Sequence, residues 1–243
     1  MKKNAIYNIS VIFPLRLLNF VSRFFLGILV SSVPDIFYSV MIKDIFADLP
    51  VLENSRVLLR PIAETDYDHL LPFSLHEPEI WKYGLVTAAG EDNLKQYLAA
   101  AVKNREEKKE YAFIVYDKQA ERYAGSTRFY DIQQAWLTTQ LGYTWYGKEF
   151  QRTGLNRHCK FLLLTYVFET WGMERCEFRA DANNTPSITA MKAIGCTPEG
   201  ILRNHMPTAQ GGRRDSIILS ILRTEWENGV REALRGKVRP PEE

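Results

Sequence analysis

The chain has 243 residues, 46% of them hydrophobic and 25% charged, with a net charge of +2. This is an ordinary globular balance, long enough for one large or two small domains, and the charge selects neither nucleic acid nor an acidic partner. Three cysteines (Cys159, Cys176, Cys196) without a CxxC pair and four histidines without an HxH or HExxH pattern lead us to expect no disulfide frame and no metal centre.

Residues 1–40 are basic and apolar, with Lys2, Lys3, Arg16 and Arg23 against Asp35 alone. Their charge is +3, so the remainder carries −1. Arg16, Arg23 and Pro34-Asp35 interrupt the apolar runs, none of which reaches the roughly 18–20 residues that span a bilayer. Three readings stay open: a signal-like or amphipathic membrane-surface segment, a helical extension on the domain, or upstream sequence with Met41 as the true initiator. The third is favoured because the pattern after Met41 is self-sufficient. The expected division is therefore an extension at 1–40 and a domain at 41–243, its core at about 53–235.

A strand is expected at Val57 to Arg60, ended by Pro61, and a helix from Thr65-Asp66. A second helix, EDNLKQYLAAAVKNREEKKE, carries Leu94, Tyr97, Leu98, Ala101 and Val102 near helical period. YAFIVYD and RYAGSTRFYDI read as an antiparallel hairpin, and TTQLGYTWYG as a further strand. The long helix that follows shows a stripe at Leu155, Cys159, Leu162, Leu163, Tyr166 and Val167, with Gly172 as its stop. RCEFRAD is a strand, NNTPSITAMKAIG a short helix, and EGILRNHM and DSIILSIL two closing strands. TEWENGVREALRG is amphipathic and KVRPPEE a solvated tail. Without an internal repeat or linker, 53–235 is one mixed α+β domain.

QRTGLN (Gln151 to Asn156) stands at the mouth of the long helix. A helix N-terminus offers unpaired N–H groups and a positive dipole end; Gly154 permits close backbone approach and Arg152 adds a charge, a combination suited to phosphate. Neither a P-loop GxxxxGK[ST] nor a GxGxxG fingerprint is present. A plain strand-to-helix turn accounts for the same six residues.

Asn184-Thr185-Pro186-Ser187, followed by ITAMKAIGC and PEGILR, resembles the Asn-x-x-Ser to Glu-Gly-x-x-Arg run of GNAT acetyltransferases, in particular the RimJ/RimL branch. QRTGLN falls where that superfamily has its pyrophosphate loop, LGYTW where it has its central fourth strand, and RRDSIILSI with EW where it has its closing strand. The resemblance runs from about Arg56 to Leu234. It implies a mostly antiparallel mixed sheet, flanked by helices and splayed between the fourth and fifth strands, where acetyl-CoA binds.

By that resemblance the amides of Gln151, Arg152, Thr153, Gly154, Leu155 and Asn156 hold the pyrophosphate. The backbone of Tyr143, Thr144 and Trp145 pairs with the pantetheine arm and polarises the thioester carbonyl. Asn184 anchors the arm and Ser187 protonates the departing thiolate; ordinary helix capping is the alternative for both. Many relatives carry Glu where this chain has Gln140, which cannot act as a base, leaving His76, Glu79 and His205 as candidates. An α-amine, with a pKa of about 7.7–8.0 against about 10.4 for lysine, needs least help. Tyr83, Phe129, Tyr130, Tyr143 and Trp145 either line an acceptor pocket or form core. Arg203, His205, Arg213, Arg214 and Asp215 either contact an acceptor carboxylate or make a structural ion pair or turn. The implied partner is an amine acceptor, a protein N-terminus or small molecule, with no nucleic acid. A homodimer is compatible. The expected location is cytoplasmic, or membrane-associated through 1–40. The rival reading is a CoA-binding module without turnover.

Overall fold

Seven residues of almost unbroken burial, Tyr111–Asp117, form the third strand of a sheet whose eight strands span much of the described chain. The computed structural model describes Phe46 and residues 50–238. The extension at 1–40, the choice of Met41 and the end of the tail lie outside the described residues. The strands are β1 (Leu52–Glu53), β2 (Val57–Pro61), β3 (Tyr111–Asp117), β4 (Arg122–Gln133), β5 (Thr138–Tyr146), β6 (Arg175–Asp181), β7 (Thr197–Pro207) and β8 (Arg213–Leu222). They are ordered β1-β2-β3-β4-β5-β6-β8-β7. β1 is too short to be seen in the sequence, and it moves every later strand up by one. The fourth and fifth strands of the sequence reading are thus β5 and β6.

The helices are α1 (Tyr67–His76), α2 (Glu91–Glu106), α3 (Leu155–Thr165, continued by a wider turn at Tyr166–Thr170), α4 (Thr185–Ala193) and α5 (Arg231–Gly236). Alternation along β4 places them on opposite faces. Arg128 lies over the ring of Tyr97 in α2, whereas Thr127 and Phe129 meet Lys160 in α3 and Trp171 beyond its end. Asp66 does not cap α1 with its side chain as expected. It is buried and takes two hydrogen bonds from Arg60 instead, an ion pair that ties β2 to the start of α1.

α3 departs from its expected stripe. Leu155, Cys159, Leu163 and Val167 are buried, but so are Lys160, Leu164 and Phe168, while Leu162 and Tyr166 are only half covered. Gly172 takes the left-handed conformation (φ 72°) that ends the helix. The amphipathic C-terminal segment is broken at Gly229 (φ 140°), so that α5 is a short separate helix.

β5 and β6 are parallel neighbours in an otherwise antiparallel sheet, and α3 makes the crossover between them. They pair over only three positions, Thr138 with Arg175, Thr139 with Cys176 and Gln140 with Glu177. β5 runs on to Tyr146 and β6 to Asp181 without further pairing to each other. The sheet therefore opens beyond Gln140.

Candidate acetyl-transfer site

Beyond the opening, β5 is irregular on its other side too. Arg128 pairs with Gly142 and Ser126 with Trp145, so one extra residue of β5 stands opposite Thr127. Tyr143 takes a left-handed conformation (φ 48°) there. This is a β-bulge, which leaves a backbone group out of the ladder and turns the strand. A Cβ on Gly142 would lie 3.0 Å from the Tyr130 ring, and the Tyr143 ring meets that same ring edge-on at 4.9 Å. Two successive residues of β5 thus face the α2 side, as a bulge requires.

The loop from Gln151 to Asn156 follows directly. Its side chains are spent on bracing. Gln151 Nε2 donates to the Tyr146 carbonyl, the Tyr146 hydroxyl to Asn156 Oδ1, and the Thr153 hydroxyl to the Phe150 carbonyl. Its amides are mostly left over. Gln151 N–H reaches Lys148 O and Leu155 N–H reaches Thr153 Oγ1 at 3.4 Å, but those of Arg152, Thr153, Gly154 and Asn156 have no acceptor among the described residues. Arg152 (φ 63°) and Gly154 (φ 90°) are both left-handed, and nothing lies within 4 Å of where a Gly154 Cβ would stand. Unpaired amides at a helix N-terminus, beside open space, are what an anionic oxygen needs.

Asn184 is the N-cap of α4, its Oδ1 accepting from Ser187 N–H at 3.2 Å. The capping alternative is thus realised, and it leaves the partly exposed Ser187 hydroxyl without a protein partner among the described residues.

Gln140 lies at the fork itself, 4% exposed. Its Nε2 donates to Asp131 Oδ2 at 2.7 Å, and its Oε1 is buried without a partner. Glu177, its neighbour on β6, is held by Arg175 and Arg179 at 2.9 and 2.6 Å. Of the candidate bases, Glu79 forms a surface ion pair with Lys148, whose hydrogen bond pulls its pKa down, and His76 ends α1 in solvent. His205 is different. It is partly buried with Nδ1 unpartnered, and desolvation, then Arg179 and Arg214, push its pKa below the ordinary histidine value. A lowered pKa favours its neutral form at pH 7.

Phe129 and Trp145 are core residues, packed on Trp171 and on Phe73 and Trp81, so their side chains line no acceptor pocket. Tyr130 and Tyr143 remain beside the opening, with burial raising both phenol pKa values. Arg213 donates to the Asn204 and His205 carbonyls and Asp215 accepts from Asn204 N–H, so both brace β8 against the irregular part of β7. Arg214 is buried, donating to Ser216 and the Tyr83 carbonyl. Arg203 is exposed.

The sequence reading passed over Lys160. It is 4% exposed, on α3, and donates to Thr127 Oγ1 of β4 at 3.2 Å and Thr144 Oγ1 of β5 at 2.8 Å. The signal was there: Lys160 precedes the buried Leu164 and Val167 by four and seven residues, the middle of the apolar arc. All three cysteines are free and buried. No helix among the described residues is long and apolar enough to cross a membrane.

The sequence matches the family model described as Acetyltransferase (GNAT) domain over residues 56–197. It is 24% identical over 179 residues to the "Uncharacterized N-acetyltransferase p20" of Bacillus licheniformis, covering 73% of this chain and 99% of that protein. It is 29% identical over 103 residues to the "Putative ribosomal N-acetyltransferase YdaF" of Bacillus subtilis (strain 168), covering 42% of this chain and 55% of that protein. The fold is similar to that of a GCN5-related N-acetyltransferase from Brucella melitensis, with a TM-score of 0.73 and 26% identity over 79% of this chain and 87% of that one. With its sheet opened between β5 and β6 and a match over most of its described core, the chain belongs to the GNAT acetyltransferase family and is an N-acetyltransferase.

Proposed function

We propose that the protein transfers an acetyl group from acetyl-CoA to a primary amine by direct attack in a ternary complex. One observation carries this reading: a loop with four unpaired amides adjoins the place where β5 and β6 part, so one end of the site offers donors for a diphosphate and the other an opening for its thioester arm. The residues present fit the cosubstrate. The amides of Arg152, Thr153, Gly154 and Asn156 take the diphosphate, and the free edge of β5 from Tyr143 to Trp145 takes the pantetheine arm as an added strand. Acetyl-CoA supplies an acyl group already activated as a thioester.

The chain supplies position and charge. The amine nitrogen bonds to the thioester carbon and the carbon–sulfur bond breaks; the amine proton leaves to a base, and the thiolate takes the Ser187 hydroxyl proton, which water replaces. An amide of the β5 bulge stabilises the carbonyl oxygen as it gains negative charge. Gln140 donates to Asp131, so it orients the β4–β5 edge and moves no proton. His205 is the base of this reading: neutral, unpartnered at Nδ1, and near Arg179 and Glu177 of β6. The acceptor that suits so weak a base is a low-pKa amine, a protein or peptide N-terminus before a lysine side chain. The resemblance to the RimJ/RimL branch supports the same choice.

Thiol release from acetyl-CoA in the presence of N-terminal peptides and small amines tests the reading; coenzyme A binding with no release from any acceptor would favour a regulatory module instead. The base has its own test. Because its pKa is lowered, His205 loses function only below the usual histidine range, so kcat/KM for an α-amine should show no rise from pH 7 to 8. In His205→Gln it should fall about tenfold at pH 7 and climb towards the amine's own pKa of about 8. Identical pH profiles for the two proteins would remove His205 from the mechanism.

A further inference from the structure

Lys160 is a buried cation without an anion. Among the described residues its partners are two hydroxyls, Thr127 Oγ1 and Thr144 Oγ1, which also bond each other at 2.8 Å, and the ring of Phe178, 6.0 Å away. These belong to β4, β5 and β6, so the ammonium lies against the α3 face of the opening between β5 and β6. The ionisable groups that face it are thiols: Cys159 on its own helix, Cys176 on β6 and Cys196 before β7. Burial holds their pKa values up, at about 11 for Cys159 and about 12 for Cys176, so none offers a counter-charge at neutral pH.

Hydroxyls solvate the ammonium without neutralising it, and two of them use two of its three donors. One of the two, Thr144, belongs to the bulge of β5, next to the left-handed Tyr143. We propose that Lys160 is a positioning residue for acetyl transfer: through Thr144 it fixes the β5 bulge, and its uncompensated charge favours negative charge developing on the carbonyl oxygen at the bulge amides. This rests on the acetyl-transfer reading above and adds to it. An apolar side chain of the same length would fill the space without stiffening the bulge or supplying the field. A carboxylate beside the lysine would cancel that field.

The experiment compares wild type, Lys160→Met and Lys160→Arg in the thiol-release assay over pH 6.5 to 9.5, with calorimetry of coenzyme A binding on each. Burial lowers the Lys160 pKa to about 8, so wild-type kcat should fall as pH rises through about 8, although the amine becomes more nucleophilic over that range. Lys160→Met should bind coenzyme A within about threefold of wild type, lose about a hundredfold in kcat, and show no such alkaline fall. Lys160→Arg keeps the charge at every pH and should lack the fall while retaining more activity than the methionine variant. A wild type without the alkaline fall, or a methionine variant with unchanged kcat, overturns the proposal. Absence of turnover in wild type itself would instead sink the acetyl-transfer reading. Should Lys160→Met fail to fold, the wild-type and arginine profiles decide the matter alone.

Discussion

Lys160→Met is expected to be more stable than the wild type at pH 7, by on the order of 3 kcal/mol. Burial lowers the folded-state pKa of Lys160 from 10.5 to about 8. Between those values the unfolded chain binds the proton that the folded protein releases, so wild-type stability rises with pH across that window. Below about pH 8 both states hold the proton and the whole penalty is present. Methionine removes the penalty and matches the volume. Thr127 and Thr144 keep each other as partners at 2.8 Å, so no buried hydroxyl is orphaned. Urea unfolding of both proteins at pH 7 and pH 10 checks this, with a gain that shrinks at the higher pH. A less stable methionine variant at pH 7 would mean that the ammonium holds the fold together. A variant that gains stability while losing kcat would separate function from folding at one side chain.

The second large effect is expected at Gly154. Gly154→Ala should weaken coenzyme A binding about tenfold, and it should destabilise the fold by about 1–2 kcal/mol, the cost of a side chain in left-handed backbone. The position holds φ 90° with nothing within 4 Å of a built Cβ, so the stability cost is conformational, not a clash. Gly211 serves as a control, with φ 88°, equally open surroundings, and a place in the turn between β7 and β8 outside the loop. Gly211→Ala should lose stability without the loss of affinity. Equal affinities for the two variants would mean that the backbone at 154 does not meet the ligand.

The regular elements were legible because their determinants are local. YAFIVYD can do little but make a buried strand, and both helix breaks at Gly172 and Gly195 come from glycines that adopt positive φ. The loop and the Asn184 to Ser187 turn were legible for the same reason, since a short run of consecutive residues builds each. What could not be read depends on distant segments meeting. The apolar arc around Lys160 shows that it is buried, but what it does there is unreadable until α3 is laid over the two threonines, from β4 and β5, that receive it. Phe129 and Trp145 look available for an acceptor until Trp171, Phe73 and Trp81 cover them. Asp66 reads as a cap because Arg60, its true partner, sits on a strand whose register no local pattern fixes.

The central claim is that the amides beyond Gln151 receive a diphosphate whose arm enters between β5 and β6. A titration of coenzyme A into isotope-labelled protein, followed by the backbone amide resonances, tests it most directly. The largest shifts should fall on Arg152, Thr153, Gly154 and Asn156, with a second set from Tyr143 to Trp145 on the open edge of β5. Saturating coenzyme A that left these resonances in place, or moved only residues elsewhere, would contradict the account.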